Sequence, residues 1–124
     1  MKYHTIELEG QEVEFRLASS DCLEIEKKTG KAMQEYIQSV SNTSCVNLLK
    51  YMRRSKVPTF SEKDANALFD TLIDNDYSLE KIYMDIIFPT CVVSGLLTQS
   101  NLDDLRRAVN SPEEIQAMRE SQNK

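Results

Sequence analysis

Tryptophan is absent from this 124-residue chain, histidine occurs once, and glycine, proline and cysteine occur three times each. Each scarcity removes a class of structure. So few Gly and Pro leave no room for a flexible linker or a collagen-like repeat, and the length suits one domain. The three cysteines, Cys22, Cys45 and Cys91, are odd in number, far apart and never in a CxxC pair. They therefore argue against a disulfide framework and predict buried thiols in a reducing cytosol. One His and three scattered Cys assemble no zinc site of the usual kind. His4 has no spacing to a cysteine that suggests a nucleophile–base pair, and it reads as a structural strand residue. No metal, cofactor or catalytic constellation is expected.

Long apolar runs are missing too. The opening MKYHTIELEG carries no apolar leader. The most apolar stretch, 82–97, is interrupted by Asp85, Pro89 and Ser94. It falls short of the roughly 20 apolar residues a membrane helix needs. Positive charge is also in deficit: 15 Lys and Arg face 20 Asp and Glu, for a net charge of −5. A chain of that sign lacks the broad positive field that binds nucleic acid, which makes nucleic acid an unlikely partner.

What is present is periodicity. Residues 2–17, KYHTIELEGQEVEFRL, alternate with period two, placing His4, Ile6 and Leu8 on one face and Val13, Phe15 and Leu17 on one face. With Glu9-Gly10-Gln11 as the turn, this predicts a β-hairpin that must pack on helices or share its edge with another subunit. The period then becomes helical. Ser19, Ser20 or Asp21 should cap a first helix, with Asp21 and Glu24 at capping-box spacing and Gly30 as its left-handed terminator. Met33, Tyr36, Ile37 and Val40 give the next apolar face; Cys45, Leu48, Leu49 and Met52 the one after. Pro58 closes that helix, and Ser61 caps another with Ala65, Leu68, Phe69, Leu72 and Ile73 inward. The stretch 74–78, DNDYS, is a break with Ser78 as the following cap. Leu79 to Leu97 is apolar nearly all round, as for a central bundle helix, and Pro89 should kink or split it. A short helix covers Asn101 to Val109. SPEE at 111–114 starts a last helix that should dock loosely or fray. The expected class is α+β: a mainly helical bundle, residues 1–110, with the hairpin at 2–17 and a C-terminal helix or tail at 111–124.

Four clusters invite functional readings. Asp74, Asp76 and Ser78 mimic the start of a calcium loop. Leu79 replaces the required Gly and Asp85 the bidentate Glu, so a capped inter-helix turn is favoured. Lys50, Arg53, Arg54 and Lys56 could begin a helix-turn-helix. The next helix carries Glu62, Asp64, Asp70 and Asp74, which phosphates would repel. Those cations fit the negative end of a helix dipole better, with a smaller case for docking an acidic partner. Asp85, amid apolar neighbours, should reach water or pair with Lys81 one turn earlier. The apolar excess at Ile87, Phe88, Val92 and Val93 is either core or a subunit or client interface. Ile87, Phe88 and Val92, rimmed by Arg53 and Arg54, are the candidate partner contacts.

The segment FRLASSDCLEIEKKTGKAMQEYI, Phe15 to Ile37, resembles the tail assembly chaperones of long-tailed bacteriophages and of prophages in Gram-positive bacteria. The likeness lies in a short hairpin, a step like L-(T/A)-S, a capped helix with (L/I)-E-K-K-x-G-K, and a second amphipathic helix. The later LLKYMRR and the acidic-apolar helices up to about Val109 are compatible in size and order. The resemblance implies a small helical protein without enzymatic activity in the cytoplasm of a bacterial host. Such proteins coat the tape measure protein, help recruit tail tube protein, and self-associate. In many such phages a ribosomal frameshift adds a longer C-terminal form. The alternative from the residues alone is a small cytosolic regulatory or adaptor domain that binds nucleic acid or a host protein.

Overall fold

The period-two stretch pairs on itself. In the computed structural model, which describes residues 2–109, strand β1 (His4–Leu8) lies antiparallel to β2 (Gln11–Phe15), with His4 opposite Phe15 and Ile6 opposite Val13. Only Glu9 and Gly10 form the turn, with φ of 51° and 78°. Two successive left-handed residues give the twist that a two-residue hairpin needs. Gln11, expected in the turn, is therefore the first residue of β2. Gly10 adopts its angle freely, whereas Glu9 does so against its Cβ. Its carboxylate accepts a hydrogen bond from Asn75 Nδ2 at 3.1 Å, which ties the turn to the helical body.

Helix α1 (Ser19–Thr29) starts one residue before the Ser/Asp run allows. The cap is Ala18, not Ser19, Ser20 or Asp21. Asp21 sits at the third helical position, and its carboxylate accepts from the Ala18 N–H at 3.0 Å. This is half of a capping box, since Ala18 has no side-chain acceptor to return. Gly30, at φ 71°, ends α1 and donates its N–H to Glu26 O. The Glu26 carboxylate then accepts from the Met33 N–H at 3.0 Å and opens α2 (Met33–Gln38). Met33, Tyr36 and Ile37 are buried as expected, but α2 stops before Val40, which is 42% exposed.

Helix α3 (Asn42–Arg54) is capped by Ser41, and α4 (Glu62–Asp74) by the reciprocal Ser61–Asp64 pair. The two helices pack together as a helical hairpin. Ile73, expected inward, is 43% exposed. Ser78 caps α5 (Leu79–Ile82) and makes DNDYS an inter-helix turn. A π-helical turn (Tyr83–Ile87) and then α6 (Phe88–Val93) continue the same rod. Pro89 sits at the start of α6, lacks an N–H, and removes the donor that Asp85 O would receive four residues on. The expected kink is resolved as one wide turn, a common way for a helix to absorb such a break. Thr98 and Asn101 cap α7 (Gln99–Val109) reciprocally, so it begins two residues earlier than its apolar pattern shows. The expected helix or tail at 111–124 lies outside the described residues.

The chain is α+β, mainly helical, with one N-terminal hairpin. Its buried side chains form one contiguous cluster, with Phe15, Leu48, Tyr51, Ile82, Tyr83 and Phe88 among the largest. The ring of Phe88 meets that of Tyr83 edge-on, with centroids 5.6 Å apart. Phe88→Ala is expected to destabilise the fold by about 3–5 kcal/mol, read as a lowered urea midpoint. A loss under about 1 kcal/mol would contradict its place in the core.

Candidate binding surfaces

The five residues expected at a partner surface do not form one. Ile87 and Phe88 are 0% and 1% exposed, and Val92 is half-buried against the same core. The apolar excess of the 79–97 stretch is therefore mostly interior, because the hairpin, α3 and α7 cover it. In this conformation Ile87 and Phe88 offer a partner no surface.

Arg53 and Arg54 are engaged internally. Arg53 donates to Glu14 O at 2.6 Å, and its guanidinium lies within 5.9 Å of the Phe15 and Phe60 ring centroids. Arg54 donates to Phe60 O at 3.1 Å and approaches the Tyr51 ring. Lys56 pairs with Glu14 and covers Tyr3; Lys50 lies over Tyr51. A planar guanidinium can stack and donate at once, so Arg53 works as a clamp between hairpin, helix and loop. Around it, Arg16 N–H donates to Met52 O, and Ser55 Oγ donates to Arg16 O. Arg53 and Arg54 do lie in the last turn of α3, as the dipole reading has it, and Arg53 and Lys56 in addition anchor the hairpin.

Asp85 is exposed, and among the described residues no ion pair joins it to Lys81, whose ammonium lies 4.8 Å from the Tyr77 ring centroid. In place of the expected pairing, Asp85 faces solvent. The backbone carbonyl of Asp85 is the engaged group: His4 Nε2 lies 2.6 Å from it. His4 is therefore committed to the helix break at Pro89, a structural role.

All three cysteines are free and buried. Burial pushes the thiols of Cys45 and Cys91 up to about 12, and raises that of Cys22 as well. They stay protonated at neutral pH and are poor nucleophiles. Burial likewise raises the Tyr83 phenol above its ordinary range. Its hydroxyl lies toward the Ser41 backbone but outside hydrogen-bonding geometry, and with Thr90 Oγ1 it is buried without a partner among the described residues. No group of three or more His, Cys, Asp or Glu among the described residues is placed to hold a metal ion. No helix among them is long and apolar enough to cross a membrane.

Among the described residues, a concave surface lies elsewhere. An open groove of about 570 Å³ runs along α3 and α4. From α3 it is lined by Asn42, Val46, Asn47 and Lys50, residues at the spacing of one helix face; from α4 by Glu62, Asn66 and Phe69, another single face. Tyr36 contributes from α2, and its hydroxyl accepts from Asn47 Nδ2 at 3.0 Å. A smaller cavity of about 310 Å³ lies between Gln34, Gln38, Leu96, Leu97 and Leu105. The sequence reading missed the groove because it sorted residues into apolar stripes. The available signal was Asn47 and Asn66, uncharged amides flanking the apolar stripes of two adjacent helices.

Arg53→Lys is expected to lower stability by about 1–3 kcal/mol, since an ammonium cannot keep both the Glu14 bond and the ring contacts. Hydrogen exchange should speed up first in the hairpin amides. Exchange that rises uniformly over the chain would argue against a local clamp. Native-state labelling with iodoacetamide at neutral pH should leave Cys45 and Cys91 unmodified while the unfolded chain reacts at all three sites; rapid native labelling of either would contradict their burial. No family model matches this chain, and no curated protein or solved structure matches it.

Proposed function

We propose that this chain is a phage or prophage tail assembly chaperone, a binding protein that holds the tape measure protein and helps recruit tail tube protein during tail morphogenesis in the bacterial cytoplasm. The observation that carries the reading is the segment Phe15 to Ile37. It holds the resemblance in sequence, and it folds as a hairpin end, a capped helix, a left-handed Gly30 and a second buried-face helix. The groove on α3 and α4 supplies a surface on which a partner segment can lie. Self-association belongs to the same proposal.

The alternative, a regulatory or adaptor domain for nucleic acid or a host protein, leaned on Lys50, Arg53, Arg54 and Lys56. Their charges are turned toward Tyr51, Glu14, Phe60 and Tyr3, which weakens it. The test is co-expression with the products of the adjacent genes. A long tape measure protein should be insoluble alone and co-purify in soluble form with this chain. A tape measure protein whose solubility is unchanged, or a neighbourhood of metabolic genes, would overturn the assignment.

A further inference from the structure

We propose that the outer edge of β1 is a self-association surface, on which a second copy of this chain pairs its own β1 antiparallel, so that the two hairpins join into one sheet. The inference locates the self-association of the proposed function. It rests on the hairpin alone and holds whether or not the client is a tape measure protein.

The turn fixes which backbone groups are free. With only Glu9 and Gly10 in the turn, Leu8 and Gln11 exchange both N–H···O bonds, and so do Ile6 with Val13 and His4 with Phe15. The N–H and C=O of Thr5 and Glu7 therefore point away from β2. Both residues are exposed, and their backbone groups find no partner elsewhere among the described residues. The other edge is closed. Glu14 O takes the Arg53 guanidinium, Arg16 N–H goes to Met52 O, and Arg16 O accepts from Ser55 Oγ. An open row of strand donors and acceptors is a template for another strand.

Charge says which strand. The β1 edge is polarised along its length. Lys2 and Lys56 stand at its start, where the Lys56 ammonium lies 4.7 Å from the Tyr3 ring centroid. Glu7 and Glu9 stand at its turn end. A second β1 running antiparallel brings the acidic end of each copy to the basic end of the other. Glu7 also needs relief within its own hairpin. It faces Glu12, a destabilising like-charge pair, and neither carboxylate has an ion pair among the described residues.

Backbone parity then selects the register. Outward groups meet only where Thr5 and Glu7 pair among themselves. Setting Thr5 opposite Glu7 of the second copy uses all five residues of β1. Each such pair exchanges both backbone bonds, and each Glu7 gains a hydroxyl neighbour. The half-buried Ile6 then lies against Ile6 of the second copy on the two-fold axis, so the contact is isologous and closes as a dimer. Sliding the pairing toward the turn would set Glu7 against Glu7.

Sedimentation velocity on the whole chain, from micromolar to millimolar, should show a reversible shift from 14.3 kDa to twice that mass. Hydrogen exchange at the Thr5 and Glu7 amides should slow as concentration rises, and more than at Ile6 and Leu8, which are bonded within the hairpin. Thr5→Pro deletes an N–H that the hairpin does not use, a change that edge strands tolerate. Glu7→Lys removes the clash with Glu12 and reverses the charge at the turn end. Both variants should keep the circular dichroism of the parent and raise the dimer dissociation constant at least about tenfold. Glu7→Lys favours the hairpin, so it carries the test if Thr5→Pro does not fold. No tape measure protein is present, so this test and that of the proposed function can fail separately. A monomer at millimolar concentration, a dimer whose Thr5 and Glu7 amides exchange at a concentration-independent rate, or an unchanged dissociation constant in Glu7→Lys would overturn the proposal.

Discussion

Two carbonyl oxygens need donors that their own helices cannot supply, and the hairpin supplies both. Met52 O lies in the last turn of α3, where the helix has no further N–H groups to offer. Asp85 O precedes Pro89 by four residues and loses its donor to the ring. Arg16 N–H meets the first, and the His4 imidazole meets the second. Leaving a carbonyl unpaired in a buried place costs about 1–3 kcal/mol, a cost that bears on the buried Met52 rather than on Asp85, which is exposed. A two-stranded hairpin is marginal by itself in water. The hairpin and the helices therefore depend on each other: it completes their backbone hydrogen bonding, and they bury its Leu8 and Phe15.

The connection from β2 into α1 shows how closely this is arranged. Over five residues the backbone engages three elements in turn. Glu14 O takes the Arg53 guanidinium, Arg16 bonds to Met52 O and Ser55 Oγ, Leu17 N–H finds Ser94 Oγ, and Ala18 N–H finds Asp21. Hairpin, α3, the end of α6 and the start of α1 are all fastened at that stretch. It is also where the resemblance to tail assembly chaperones begins. The groups used at 14–18 are all main chain, so the side chains this junction depends on are those of Arg53, Ser55, Ser94 and Asp21.

Elements governed by neighbours in sequence were legible from the residues. Gly30 ends a helix, Ser61 and Ser78 begin them, and Met33, Tyr36 and Ile37 face inward, because each depends on contacts within a turn or two. What was not legible depends on distant partners. Arg53 reads as a helix-end cation, yet its acceptor is 39 residues away. Ile87 and Phe88 carry the same pattern whether a rod is covered by its own chain or by another. Ala18 has no capping side chain and gives no signal. The groove is invisible to periodicity, since its amides belong to neither an apolar stripe nor a charge cluster. Only the packing of α3 beside α4 turns Asn47 and Asn66 into one surface.

The contact between His4 and Asp85 has a consequence for the chemistry of the imidazole. A carbonyl oxygen can only accept, so Nε2 must carry the hydrogen, and the neutral ring is held in one tautomer. The acceptor is a backbone carbonyl, so the join between strand and broken helix makes no demand on the side chain at position 85, whereas position 4 must supply a donor of that reach.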